Sequence, residues 1–138
     1  MTKSILLDAW AVLAYLKKES PADTRVIALL EQAGRGSVWL FISVINLGEV
    51  YYNVGRARGE RFAESVLEEL RSLPLEILPA DEPAVFAAAR WKMKYPISYT
   101  DAFAAAAADR LDAILVTGDP ELLALKEQLK IEALGRSG

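Results

Sequence analysis

The stretch Ser4-Ile5-Leu6-Leu7-Asp8 is a short apolar run that ends in an acid. Such a run predicts a buried strand, and the apolar spacing over residues 9–18 predicts a helix directly after it. Further strands are predicted at 38–42, 75–78, 113–116 and 130–134, with helical segments between them. Strands that alternate with helical crossovers indicate an α/β fold, in which a mostly parallel central sheet of about five strands carries helices on both faces.

The composition excludes several kinds of chemistry. The chain has 138 residues, enough for one domain over residues 1–138, and we expect the last few residues to be frayed. It has no cysteine and no histidine, which excludes disulfides, zinc sites of the Cys or His kind and His-dependent nucleophile systems. Any metal would be held by oxygen, as Mg²⁺, Mn²⁺ and Ca²⁺ are. Proton transfer would use carboxylates, Lys, Tyr or water.

Charge and hydropathy limit the location and the partners. No apolar stretch approaches the roughly 18 residues that a membrane span needs, and an acid at position 8 comes too early for a signal peptide. We therefore expect no membrane association and a cytoplasmic protein. The net charge of -3, from 16 basic and 19 acidic residues, does not itself indicate a nucleic-acid partner, but it says nothing about local patches.

Four acids occupy positions where an α/β sheet collects ligands, beyond the carboxyl ends of its strands. Asp8 and Asp119 directly follow predicted strands, Asp101 begins the helix before the strand at 113–116, and Glu49 lies in the helix after the strand at 38–42. Each has a simpler structural interpretation. Both strand-end acids can cap helices, Asp101 can belong to a capping box over residues 98–101, and Glu49 can face solvent.

Considered together, the four acids predict a metal site. Grouped carboxylates repel one another by several kcal/mol in a low dielectric, so a cation must offset the repulsion or some acids must stay protonated. We expect Mg²⁺ (or Mn²⁺), because these ions prefer oxygen ligands and serve in phosphodiester cleavage. Asn46 and Thr117 could support the site, although the hydroxyl of Thr117 can also make an ordinary strand-end hydrogen bond. Glu121 could be a fifth acid or a first-turn helix charge.

Two basic clusters could hold a phosphate chain. The residues are Arg56, Arg58 and Arg61 at the end of the Glu49 helix, and Arg90 and Lys92 before Asp101, beside Trp91 and Tyr95. Such clusters can contact RNA phosphates, and aromatic side chains can stack on unpaired bases. The alternative is a solvated helix end whose charges complement the helix dipole.

Four short motifs resemble those of the PIN domain, and most closely the VapC-like toxins of type II toxin–antitoxin systems. They are Ile5-Leu6-Leu7-Asp8, Asn46-Leu47-Gly48-Glu49, Ser98-Tyr99-Thr100-Asp101-Ala102 and Val116-Thr117-Gly118-Asp119. Each motif is short, but the four occur in order and span nearly the whole chain. One departure is Ala9-Trp10, where many relatives carry Ser or Thr shortly after the first Asp.

The resemblance implies a Mg²⁺- or Mn²⁺-dependent endoribonuclease whose metal site contains Asp8, Glu49, Asp101 and Asp119, with support from Thr117. It also implies a homodimer and a small antitoxin that inserts a peptide near the active site. A rival interpretation is a catalytically inactive PIN-like scaffold that binds an antitoxin, RNA or another subunit. An aspartyl-phosphate phosphatase fits less well, because that chemistry commonly needs a second acid at position 10, which is Trp.

Overall fold

The computed structural model describes residues 2–135, so most of the predicted frayed end lies outside the described residues. The elements in chain order are β1 (Lys3–Leu7), α1 (Ala9–Leu16), α2 (Ala22–Gly34), β2 (Val38–Ser43), α3 (Val44–Arg58), α4 (Glu60–Ser72), β3 (Glu76–Leu78), α5 (Glu82–Lys94), α6 (Tyr99–Leu111), β4 (Ile114–Thr117), α7 (Pro120–Leu123) and β5 (Ile131–Ala133).

The strands form one parallel sheet in the order β3-β2-β1-β4-β5, so the predicted α/β fold is confirmed. β1 is the central strand and pairs with β2 on one side and β4 on the other. Leu7, its last residue, is in register with Val116 of β4. The residue that follows Leu7 is Asp8, and the residue that follows Val116 is Thr117. The topology therefore brings the ends of β1 and β4 together at one edge of the sheet.

Side chains that alternate along the strands divide the core between the two faces of the sheet. Ile5 and Leu7 pack with the buried residues of α1, α2, α3 and α4, whereas Leu6 packs with those of α5 and α6. Adjacent residues of a strand point to opposite faces of the sheet, because side chains alternate with a period of two. Both faces are thus covered by helices, as a parallel sheet requires.

The alanine cluster of α6 allows this helix to lie close to the sheet. Ala102, Ala104, Ala105, Ala106 and Ala108 are all buried, and the helix contacts β1, β2 and β4. Small side chains permit this close approach of the helix to the sheet. This approach also places the first turn of α6, with Asp101, beside the ends of β1 and β4.

Several element boundaries differ from the sequence predictions by one to two residues. The first helix ends at Leu16 instead of position 18, where Lys18 has a left-handed φ of 58°. The second begins at Ala22, after Pro21. The strand β4 spans Ile114–Thr117 instead of 113–116, and β5 spans Ile131–Ala133 instead of 130–134. Across residues 2–135, every helix falls short of the length and apolar character that a membrane crossing needs.

Candidate active site

Asp8 is both a helix cap and a member of a buried acidic group. Its side chain is 1% exposed. Its Oδ1 atom accepts a hydrogen bond of 2.9 Å from the backbone N–H of Ala11, which caps α1, and its Oδ2 atom accepts one from the hydroxyl of Thr117. The capping and site interpretations are therefore compatible, because the two oxygens have different partners.

Thr117 joins the two strand ends that carry acids. It is fully buried, and while its hydroxyl donates to Asp8 it also accepts a hydrogen bond of 2.9 Å from the backbone N–H of Asp119. The Asp119 carboxylate in turn caps α7, since its Oδ1 atom accepts a 2.8 Å bond from the N–H of Glu121. One hydroxyl thus fixes the carboxylate after β1 relative to the turn after β4.

Three carboxylates converge in front of this turn. Asp101, Asp119 and Glu121 each bring one oxygen to within 4.8 Å of the others. Ser98 caps α6 through a 3.1 Å bond from the Asp101 N–H to its Oγ atom, but the Ser98 N–H donates to Glu121 at 3.4 Å. In a complete capping box the third helical residue accepts that N–H. Here Glu121 accepts it, while the carboxylate of Asp101 lies in the acidic cluster.

Asn46 and Glu49 approach the site from α3. Asn46 is fully buried, and its Nδ2 atom donates a 3.0 Å hydrogen bond to the carbonyl of Thr100, next to Asp101. The Oδ1 atom of Asn46 and the Oε1 atom of Glu49 are buried and have no hydrogen-bond partner among residues 2–135. Leaving a buried acceptor unpaired costs about 1–3 kcal/mol of stability, and more for a charged group. We therefore expect each of these two oxygens to bind a water or a cation.

The ionisation of the acids shows that they form one electrostatic unit. Burial, more than any other cause, raises the pKa of Asp8 to about 7. Hydrogen bonds from Thr117 and Ala11 oppose this rise in pKa, whereas the charges of Asp119 and Glu49 add to it.

Asp101 behaves in the same way. Burial raises the pKa of Asp101 to about 8, and the charge of Asp119, a hydrogen bond shared with Glu121 and the charge of Asp8 contribute to the increase. Asp119 therefore acts on both Asp8 and Asp101, whereas Glu49 acts on Asp8 and Glu121 acts on Asp101. Asp8 and Glu49 lie outside the group of three close carboxylates.

The donor set fits a hard divalent cation. Within residues 2–135 the ion pairs are Arg25–Glu132 at 2.7 Å and Lys130–Asp112 at 2.9 Å, and none involves an acid of the site. Carboxylate groups without a basic partner, together with the unpaired Glu49 Oε1 atom, offer the oxygen ligands that Mg²⁺ and Mn²⁺ prefer.

Sequence reasoning gave Glu121 less weight than its position warrants and missed the contact that places it. Glu121 lies two residues after Asp119, where a first-turn helix charge is a sufficient explanation. Its partner Ser98 is 23 residues away in the chain, so no local pattern indicates the contact. The available signal in the sequence was an acid two residues after Asp119.

The structure does not bring the basic clusters into contact with the acids. Arg56 and Arg58 lie seven and nine residues after Glu49 in α3, or about 10 to 14 Å along the helix axis. Their guanidinium groups stand 5.2 Å and 4.3 Å from the ring centres of Tyr52 and Phe62. Lys92 donates a 2.7 Å bond to the carbonyl of Ile97 before α6. Arg61 and Arg90 are exposed on α4 and α5.

Comparison with known proteins gives a family match over most of the chain. The profile of the family described as PIN domain matches residues 5–128. No curated protein sequence matches this chain.

Solved structures with the same fold include toxin–antitoxin proteins. VapBC2 from Rickettsia felis, solved with a promoter DNA fragment, is 21% identical, with a TM-score of 0.72 over 96% of this chain and 99% of that chain. DNA-bound VapBC from Salmonella typhimurium is 21% identical, with a TM-score of 0.72 over 96% and 98%. VapC20 from Mycobacterium tuberculosis, described as a sarcin-ricin loop cleaving toxin, is 18% identical, with a TM-score of 0.67 over 87% and 93%. At these identities the similarity is one of fold.

Proposed function

The chain belongs to the PIN domain family, and from that premise we propose that it is a divalent-metal-dependent endoribonuclease, the toxin of a type II toxin–antitoxin pair. The observation that carries the proposal is the group of carboxylates at the ends of β1 and β4, which has no basic partner within residues 2–135. Oxygen ligands of this kind are the usual apparatus of metal-assisted phosphodiester hydrolysis.

In this proposal Asp8, Asp101, Asp119 and Glu121 hold the cation. A bound Mg²⁺ or Mn²⁺ supplies Lewis-acid chemistry, since it neutralises charge on the phosphoryl oxygens and lowers the pKa of water. Thr117 keeps two of the acids in place, because its hydroxyl bonds to the Asp8 carboxylate and to the backbone of Asp119.

Glu49 is proposed as the general base. Its Oε1 atom is buried and unpaired within residues 2–135, so it is free to accept a proton. Asp8 also lies outside the group of three close carboxylates, but both of its oxygens already accept hydrogen bonds. In the reaction a water oxygen bonds to phosphorus while the Glu49 Oε1 atom takes a proton of that water. The P–O bond to one ribose oxygen breaks, and this oxygen takes a proton from solvent water to leave as a hydroxyl group. Asn46, one turn before Glu49, connects α3 to the start of α6 through its bond to the Thr100 carbonyl. General bases of this kind contribute roughly 100- to 10,000-fold to a rate.

The experiment is an RNA cleavage assay with Mg²⁺, Mn²⁺ or EDTA. We expect products only with a divalent ion, and a loss of at least about 100-fold in Asp101→Asn. Asp109→Asn is the matched control, because Asp109 is exposed at the other end of α6. Structured RNA is the first substrate to test, since VapC20, which shares this fold, is described as cleaving the sarcin-ricin loop.

Two results would contradict the proposal. Full activity in Asp101→Asn would exclude the acidic cluster as the site of the reaction. A wild-type protein without metal-dependent products would favour the inactive scaffold, which binds an antitoxin, RNA or another subunit without cleaving it.

An apolar groove supports the antitoxin as a partner. The groove has a volume of about 730 Å³ and lies between α1 and α2 on one side and α3 and α4 on the other, lined by Leu13, Leu16, Ile27, Val54, Phe62 and Val66. Asn53, which also lines it, lies one helical turn after Glu49 in α3 and donates a 2.8 Å bond to the Glu49 carbonyl, so one end of the groove is about 6 Å from Glu49 along the helix axis. We propose that an apolar segment of the antitoxin lies in this groove and reaches the acids.

A homodimer and a cytoplasmic location complete the proposal. Phe86 and Met93, seven residues apart on α5, are 55% and 78% exposed, and neighbouring exposed apolar side chains on one helix face support a surface that another protein covers. Light scattering after size-exclusion chromatography would give the oligomeric state, and a mass of about 15 kDa would exclude the dimer. The cytoplasm follows from the proposed substrate, because cellular RNA is located there.

A further inference from the structure

Trp10 covers the turn that carries Thr117 and Asp119. A Cβ atom added to Gly118 would lie 2.4, 2.5 and 2.6 Å from the Cη2, Cζ3 and Cζ2 atoms of the Trp10 ring, closer than the 3.0 Å limit that real Cβ atoms observe. Nearly equal distances to three adjacent ring atoms mean that the face of the indole, and not its edge, lies on the glycine. Only glycine at position 118 permits this contact.

The same indole is anchored to the other acid-bearing strand end. Trp10 is in the first turn of α1, which begins directly after Asp8, and it packs against the apolar core beneath that helix. It therefore joins the end of β1 to the turn after β4 a second time, by packing instead of by the hydroxyl of Thr117. The hydroxyl fixes the backbone N–H of Asp119, whereas the indole covers the residue before it.

The turn needs such support. Gly118 has no side chain of its own to fix its conformation. Asp119 and Asp101 bring carboxylate oxygens to within 4.8 Å of each other, and two charged carboxylates at that distance repel. Without a cation nearby, this repulsion favours a movement of Asp119 away from the cluster.

We propose that Trp10 is a positioning residue, whose indole holds the 117–119 turn so that Asp119 stays beside Asp101 and the site keeps its affinity for a divalent cation. This inference rests on the proposed metal-dependent function. It assigns a role to a side chain that touches no reacting atom and that none of the four motifs explains.

The test combines two measurements on Trp10→Ala and Trp10→Phe. Amide hydrogen exchange of Gly118 and Asp119 is measured in the metal-free protein, and Mn²⁺ affinity is measured by electron paramagnetic resonance. In Trp10→Ala we expect faster exchange at both amides and a dissociation constant for Mn²⁺ that is raised roughly 10- to 100-fold. In Trp10→Phe the shorter ring lacks the outer indole atoms that lie on the glycine, so both values should fall between those of the wild type and of Trp10→Ala.

Two controls separate positioning from general stability. Val26→Ala shortens a buried side chain of α2 and should lower the free energy of unfolding without a change in Mn²⁺ affinity. Trp39→Ala removes an exposed indole of β2 and should change neither quantity.

Gly118→Ala provides an independent variant. With Trp10 present, the new methyl group must displace the ring or the turn, so Mn²⁺ affinity should fall as it does in Trp10→Ala. Once the indole has been removed, the methyl group has space, so the double variant should bind Mn²⁺ no more weakly than Trp10→Ala alone. Gly118→Ala still decides the proposal if Trp10→Ala does not fold.

A folded Trp10→Ala with wild-type exchange and wild-type Mn²⁺ affinity would overturn the inference, and so would additive losses in the double variant. If the wild type itself binds no Mn²⁺, the proposed metal site is wrong, but exchange at Gly118 and Asp119 still decides whether Trp10 holds the turn.

Discussion

Asp8 combines two properties that oppose each other. Its carboxyl is almost completely buried, which favours the neutral form, but both of its oxygens accept hydrogen bonds, which favour the charged form. Burial is the larger effect, since the pKa rises from 3.8 to about 7. At neutral pH the metal-free protein therefore holds a carboxyl that its surroundings do not fully stabilise as an anion.

The stability of the metal-free protein should decrease as pH rises. A carboxyl with a higher pKa in the folded than in the unfolded state binds its proton more tightly when folded, so the free energy of unfolding falls between about pH 4 and pH 7. A shift of this size corresponds to about 4 kcal/mol at 1.36 kcal/mol per unit. Asp101, whose pKa is raised to about 8, extends the decrease to slightly higher pH. Urea unfolding in EDTA at pH 5 and pH 8 measures the effect.

Asp8→Asn identifies the carboxyl responsible. The variant should be more stable than the wild type at pH 8, and the difference should be small at pH 5, where the wild-type carboxyl is largely protonated. Asp109→Asn, at an exposed position, should keep the wild-type dependence. Equal slopes in all three proteins would show that burial of Asp8 does not determine the pH dependence.

Thr117→Val should weaken the site with little change in shape. The loss of the hydroxyl removes a donor from Asp8 and an acceptor from the N–H of Asp119, which should cost about 1–3 kcal/mol of stability and roughly 10- to 100-fold in activity. Because the Thr117 bond lowers the pKa of Asp8, the acid limb of the pH–rate profile should move to higher pH. Thr117→Ser should restore both values, and an unshifted profile in Thr117→Val would contradict the argument.

Helix α3 contributes residues to three surfaces along its length. Its first half brings Asn46 and Glu49 to the acidic site, its side with Asn53 and Val54 lines the apolar groove, and its end carries the basic cluster. An antitoxin segment in the groove would therefore lie between the acids and the arginines. This arrangement explains how one small partner could block both substrate binding and cleavage.

Ile27→Asp should separate partner binding from catalysis. Ile27 lines the groove from α2, 43% exposed, so a charge there is tolerated by the fold but not by an apolar segment in the groove. We expect the variant to cleave RNA normally but to lose at least about 10-fold in affinity for an antitoxin encoded beside it. Gln128→Asp is the control, because it adds the same charge at an exposed position outside the groove. Equal affinity in both variants would place the partner elsewhere.

The sequence predicted elements well and contacts between distant elements poorly. Apolar periodicity and capping residues act within a few positions, so the order of strands and helices was correct and the boundaries were close. The contacts Ser98–Glu121 and Trp10–Gly118 span 23 and more than 100 residues. No local pattern specifies them, because they depend on how closely α1, α6 and the turn after β4 approach one another.

The topology of the whole molecule explains why Asp8 and Asp119 could be predicted to lie near each other. In a parallel sheet all strands end at the same edge, so an acid directly after one strand lies near an acid directly after its neighbour. Asp8 and Asp119 follow β1 and β4, which are adjacent. The groove could not be predicted in this way, since its walls come from four helices whose spacing depends on side-chain packing.

The distance between the basic cluster and the acids predicts a dependence on RNA length. Arg56 lies about 10 Å from Glu49 along α3, so a long RNA can contact both regions but a dinucleotide at the acids cannot. Arg56→Glu should therefore raise KM for long RNA at least about five-fold, leave kcat unchanged, and reduce the salt dependence of KM, because phosphate contacts release counterions. Dinucleotide cleavage should stay at the wild-type rate.

Arg35→Glu is the control for net charge. Arg35 follows α2 and precedes β2, so it lies at the edge of the sheet opposite the acids, and the variant should affect neither substrate. If both variants raise KM equally, net charge and not the position of Arg56 governs RNA binding.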